Sequence, residues 1–142
     1  MHKVYSVLLI AFLFALFLRL FVIEGYVVKG DSMAPTLQSG DYVFVSKLAY
    51  VWGRQPHKSD VVVVLPRGFR ERVVKRVYAT PGDRFDLGSG VVSLDPQEYF
   101  LMGDNSAVSE DSRTFGPVDA WNIQGRVIGA FRYKTLQLIR FW

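Results

Sequence analysis

The chain divides into one unbroken apolar run and a long remainder in which apolar residues arrive in short, β-branched bursts. Val4 to Ile23 reads VYSVLLIAFLFALFLRLFVI, with Arg19 as its only charge. Twenty helical residues span about 30 Å, the thickness of a bilayer's hydrocarbon core. Arg19 lies near the end of the run, where its guanidinium can reach the interface. A helix packed on a water-soluble domain would carry a polar stripe. A cleavable leader would have a shorter apolar core and then a small-residue cleavage site, which the following LFVIEGYVVKGD lacks. The pattern predicts an uncleaved membrane anchor over residues 1–24 and a separate domain over 25–142. Lys3 flanks one end and Arg19 and Lys29 the other, so charge alone does not orient the anchor.

Beyond Gly25 the pattern is that of strands. After the short apolar segment Tyr26-Val27-Val28, strands are predicted at Asp41–Ser46, Glu71–Ala79, Arg84–Leu87, Val91–Leu94, Glu98–Met102 and Gln124–Tyr133. Val61–Leu65 is continuous and β-branched, as in a strand buried on both faces, and Pro66 stops it. Gly88-Ser89-Gly90 is a hairpin tip. Helical hints are confined to Val118–Trp121 and the basic-aromatic tail. The expected fold is mainly β, one compact domain with no internal repeat.

Composition narrows the chemistry. Cysteine is absent, which removes disulfides, thiolate metal sites and a Cys nucleophile. Of the two histidines, His2 adjoins the initiator Met and His57 sits in a polar stretch. A zinc site or a Ser-His-Asp triad would have to rest on His57 alone, so neither is expected. The net charge of +4 is dispersed, without a basic helix or an aromatic RNA-binding motif, which speaks against nucleic acid and for a mild attraction to anionic headgroups.

Three stretches carry candidate chemistry. In Gly30-Asp31-Ser32-Met33-Ala34-Pro35-Thr36-Leu37, glycine permits a sharp turn and proline stops any regular element. A serine held there is either a capping residue or a rigid, exposed nucleophile. In Arg72-Val73-Val74-Lys75-Arg76-Val77-Tyr78, strand alternation places Lys75 between Val73 and Val77 and turns Arg72 and Arg76 away. Such a lysine either extends its ammonium to water or is desolvated and able to act as a base. The stretch Gly103–Val118 is dense in turn formers and opposite charges. It reads as a solvated loop or as one braced by Asp111 and Arg113.

These three blocks, in this order and with Pro81-Gly82-Asp83 between the second and third, resemble the type I signal peptidases of bacteria. The Arg-x-Phe-x-x-Glu end of the anchor and Gly40-Asp41-Tyr42-Val43 match as well, so the resemblance covers nearly the whole chain. It implies a signal-peptidase-like (repressor-protease-like) β catalytic domain behind one transmembrane helix. It implies Ser32 as nucleophile and Lys75 as base, with Ser109 hydrogen-bonding and orienting Lys75. Asp111 with Arg113, and Asp104 with Arg76, would hold the site's shape. Val28, Met33, Leu37, Val73 and Val74 match positions lining shallow pockets for small residues at P1 and P3.

The reaction implied is removal of signal peptides from exported preproteins, on the outer face of the cytoplasmic membrane and in reach of the export machinery. Two features depart from larger members. Gly30 stands where some carry a serine whose hydroxyl helps the oxyanion hole. Thr80–Met102 has room only for a hairpin where others insert a second β domain. The other readings left open by the residues are a self-cleaving repressor-type Ser/Lys protease and a tethered β module without activity.

Overall fold

The computed structural model describes residues 2–18 and 22–141. The chain opens with helix α1, His2–Phe17, sixteen residues long and apolar on all sides. Its apolar side chains are exposed, Ile10 and Tyr5 by 66% each. Ile23, expected to end the anchor, instead starts strand β1, Ile23–Val27. Pairing with the following strand captures it: Ile23 faces Ser46, and the Lys47 N–H donates to the Val22 carbonyl at 2.9 Å. Arg19 to Phe21, which belong to the expected anchor, lie outside the described residues. Among the described residues no helix is long and apolar enough to cross a membrane.

The remaining strands are β2 (Tyr42–Ser46), β3 (Val61–Val64), β4 (Val73–Ala79), β5 (Arg84–Asp86), β6 (Val91–Ser93), β7 (Glu98–Met102), β8 (Val118–Asp119), β9 (Ile123–Arg132) and β10 (Gln137–Arg140). A short helix α2, Ser112–Phe115, precedes β8. One curled, antiparallel sheet runs β1-β2-β9-β3-β4-β7-β8. The ten-residue β9 is its spine. One edge of β9 pairs β2; the other pairs β3 through Ile123–Arg126 and β10 through Gly129–Arg132. The fold is mainly β, as the pattern indicates.

All four residues of β3 are buried, so the valine run does belong to a strand covered on both faces. Val61 and Val63 join Val28, Met33, Leu37, Val43 and Val127 on one side. Val62 and Val64 join Val77, Tyr99, Leu101 and Val118 on the other. Each such side chain contributes about 1.5–3 kcal/mol by leaving water. β5 and β6 form a separate hairpin over a small cluster of Ala79, Leu94 and Phe100.

Two local expectations are corrected. The tail is a strand rather than a helix, because Leu136 adopts left-handed backbone (φ 52°) and turns the chain back onto β9. Val118–Trp121 divides into β8, which pairs Glu98 and Tyr99, and a single 3₁₀ turn over Ala120–Asn122.

Candidate active site

Ser32 stands in the loop between β1 and β2. The loop is closed at its base, where the Val28 N–H donates to the Asp41 carbonyl at 2.8 Å and the Gly40 N–H to the Val28 carbonyl at 2.9 Å. Gly30 takes φ 77°, left-handed backbone that glycine adopts without strain. Met33 and Leu37 plug the loop into the core at 1% and 0% exposure. Asp41, itself 3% exposed, accepts from the Gln38 N–H at 2.9 Å and from Arg132 Nη2 at 2.8 Å, and the same Nη2 reaches the Thr36 carbonyl at 3.2 Å. Nothing in the local sequence pattern points to Arg132 as a brace of this loop; the 91 residues separating it from Asp41 hide the contact.

Lys75 lies in β4, with Val77 and Ala79 buried on the same face. It is 3% exposed, and Nζ donates to Ser32 Oγ at 2.8 Å. No carboxylate among the described residues pairs with it. Asp31, the nearest acid in sequence to the serine, instead accepts from the Ser39 N–H at 3.4 Å. Burial pushes the Lys75 ammonium below its ordinary pKa; the more distant charges of Asp111 and Glu110 oppose the shift without cancelling it. Glu110 is a contributor that sequence reasoning missed.

The third segment comes from the β7–β8 connection. The Asn105 N–H donates to the Ser32 carbonyl at 2.9 Å, tying this loop to the one that carries Ser32. Gly103 packs so closely that a Cβ there would fall on Ser109 Oγ and lie 2.5 Å from the Ser32 carbonyl oxygen. Ser109 Oγ is buried and makes no hydrogen bond of good geometry, so the expected bond to Lys75 is not formed. It is still near enough to Asp111 to help keep that carboxylate ionised.

Asp111 is wholly buried and caps α2. It accepts from the Gly103 N–H at 2.9 Å and from Arg113 Nε and Nη2, each at 2.8 Å. Burial would raise its pKa, but Arg113, the Gly103 N–H and the Ser109 hydroxyl outweigh that and hold it well below the carboxylate range. Arg76 and Asp104 form a second bidentate pair at 2.8 and 2.6 Å, and Arg76 Nη1 also donates to the Ser59 carbonyl at 2.9 Å.

Ser32 and Lys75 sit where two depressions meet. One, of about 520 Å³, runs between Val27–Lys29 and Arg70–Val74, and Val28, Met33, Val73 and Val74 line it. Leu37 does not, because its side chain has no exposed surface. The other, of about 420 Å³, is bounded by Asp31, Phe69, Asn105 and Glu110. The rim of the first is spanned by Lys29 and Glu71 at 3.0 Å and by Arg72, which contacts Glu24 and the Tyr26 hydroxyl and ring. A hydroxyl beside a desolvated amine, at the floor of an apolar cleft and free of a counter-ion, can add to a carbonyl. Among the described residues no group of acids and histidines could hold a metal ion.

The chain matches the family described as signal peptidase, peptidase S26, over residues 1–95 and 85–132. It is similar to signal peptidase I of Bacillus caldolyticus, 34% identical over 87% of this chain and 86% of the relative. Probable signal peptidase I-1 of Synechocystis sp. is 32% identical over 87% of this chain and 79% of the relative. Signal peptidase IB of Staphylococcus aureus is 26% identical over 87% and 84%.

Proposed function

Because the chain belongs to the signal peptidase family, peptidase S26, and so is a serine endopeptidase that removes signal peptides, we propose that it works through a Ser32/Lys75 dyad. The carrying observation is the 2.8 Å contact between Lys75 Nζ and Ser32 Oγ, with Lys75 buried and unpaired by any acid among the described residues. Neutral Lys75 takes the Ser32 proton as Oγ bonds to the scissile carbonyl carbon. The resulting ammonium returns that proton to the leaving amine as the C–N bond breaks. Water, deprotonated by the same amine, then bonds to the acyl carbon, and the amine returns the proton to Ser32 Oγ as the C–Oγ bond breaks. The oxyanion hole rests mainly on the Ser32 N–H, because Gly30 offers no hydroxyl to assist it. Asp111 with Arg113, and Asp104 with Arg76, brace the β7–β8 connection, in which Ser109 packs against Gly103 beside the Ser32 carbonyl.

The cleft lined by Val28, Met33, Val73 and Val74 receives the residues before the scissile bond, and its apolar, shallow walls suit small side chains at P1 and P3. The apolar segment that precedes β1 anchors the β domain in the cytoplasmic membrane, on the extracytoplasmic side and beside the export machinery that delivers preproteins. The test is preprotein processing by the full chain beside Ser32→Ala. Cleavage by the wild type and none by Ser32→Ala is expected, together with labelling of Ser32 by an acylating serine probe. Processing that survives Ser32→Ala would overturn the dyad. Protection of residues after Gly25 from protease added to intact spheroplasts would overturn the topology.

A further inference from the structure

The turn after β2 holds its most exposed side chain in a conformation that needs enforcing. Trp52 is 88% exposed. Its φ of 56° and that of Gly53, 78°, place two successive residues in left-handed backbone, which a bulky residue adopts only where its surroundings impose it. The register locates this turn. Ile23, the first residue of β1, pairs with Ser46, the last of β2, and the Lys47 N–H bonds to the Val22 carbonyl. The loop bearing Trp52 therefore departs from the end of the sheet at which the chain arrives from its apolar segment.

Beside Trp52 lies an open cleft of about 580 Å³ whose walls include Arg54, His57 and Arg126. Asp60, which contacts Tyr50, His57 and Arg126 of its walls, is 8% exposed and turned inward. Asp60 accepts from the Tyr50 hydroxyl at 2.9 Å and the His57 N–H at 3.0 Å, and its other oxygen pairs with Arg126 Nε at 3.2 Å. Arg54 is exposed and the Arg126 side chain is still 32% exposed, so the cleft presents positive charge outward.

We propose that this loop is a lipid-docking element. Trp52 beds into the membrane interface and Arg54 and Arg126 face an anionic headgroup phosphate. Indole is suited to that boundary by its apolar body and polar N–H, and basic residues are drawn to anionic leaflets. The proposal rests on the membrane-tether reading above. A second attachment beside the tether fixes the tilt of the domain, and with it the height of the cleft above the bilayer.

The test uses the full chain as Trp121→Phe/Trp142→Phe, which leaves Trp52 as the sole indole of the three present. It is reconstituted into vesicles of phosphatidylcholine, with or without phosphatidylglycerol, carrying acyl chains brominated near the headgroup. Co-flotation with vesicles reports the tether, and quenching of Trp52 reports the loop. Quenching that is stronger with phosphatidylglycerol and weakened by Arg54→Glu is expected. Trp52→Ser should leave cleavage of a short soluble peptide unchanged. A chain that floats with Trp52 unquenched overturns the loop proposal alone, whereas a chain that does not float overturns the tether reading. Relief of quenching by inorganic phosphate, but not by chloride at equal ionic strength, would assign the cleft to the free ion and overturn the lipid assignment.

Discussion

Gly103→Ala is the most incisive perturbation of the site. The added Cβ would stand 2.5 Å from the Ser32 carbonyl oxygen and 2.6 Å from Ser109 Cβ. A carbon and a carbonyl oxygen rest about 3.3–3.6 Å apart, so one loop must yield by about 1 Å. The Ser32 carbonyl is backbone and is held by the Asn105 N–H at 2.9 Å, so the movement passes to Ser32. Inserting a methyl into packed structure costs about 1–3 kcal/mol. A displacement of about 1 Å at a reacting atom costs about 10²-fold in rate. Steady-state cleavage of a preprotein and urea unfolding, both on the full chain in detergent, measure the two effects. The expected result is a folded enzyme with kcat lowered about 10²-fold. A Gly103→Ala enzyme with wild-type kcat would refute the coupling of the two loops.

Activity should rise with pH as Lys75 loses its proton, at a pH below the ordinary lysine value because burial disfavours the ammonium; Lys75→Arg should be inactive, since guanidinium stays charged, and a working Lys75→Arg enzyme would end the dyad assignment. Glu110→Gln removes a charge that favours the ammonium, so the acidic limb of the kcat profile should move to lower pH; a shift upward would contradict the geometry. Asp111 has a folded pKa held below its unfolded one, so its stabilisation is complete above about pH 4 and is lost as pH falls further. Asp111→Ala should cost about 3–5 kcal/mol at neutral pH, and its unfolding free energy should converge on that of wild type in acid; a constant gap down to the lowest pH would be the contrary finding. A preprotein with Phe at P1 should be cut far more slowly than one with Ala, and equal rates would remove Met33 and Val74 from the S1 wall.

What the sequence reveals of this molecule depends on how local the cause is. The valine run of β3 and the alternation that puts Lys75 on one face with Val77 follow from neighbouring residues alone, and both are legible; the burial of that lysine is not, since it depends on what covers the face. Helix α2 is not, because four residues carry no period; its only signal is Asp111 at the cap. The tail was opaque for another reason: its strand exists through pairing with β9, and its composition does not favour that state over a helix. At the site, the residue types could be named from three blocks. The approach of Gly103 to Ser32 and the reach of Arg132 to Thr36 could not, since each joins segments that meet only in the folded sheet.

The position of β9 has a consequence for when activity begins. Ser32, Lys75 and Ser109 are carried on three segments, and β9 joins β2 to β3 between them. Arg132, at the end of β9, also supplies the guanidinium that holds Asp41 and the Thr36 carbonyl. A nascent chain that has delivered the serine and the lysine but not residues 123–132 has neither the bridge between their strands nor the clamp on the serine loop. Proteolytic competence is thus tied to delivery of residues 123–132. The fold itself acts as a maturation checkpoint.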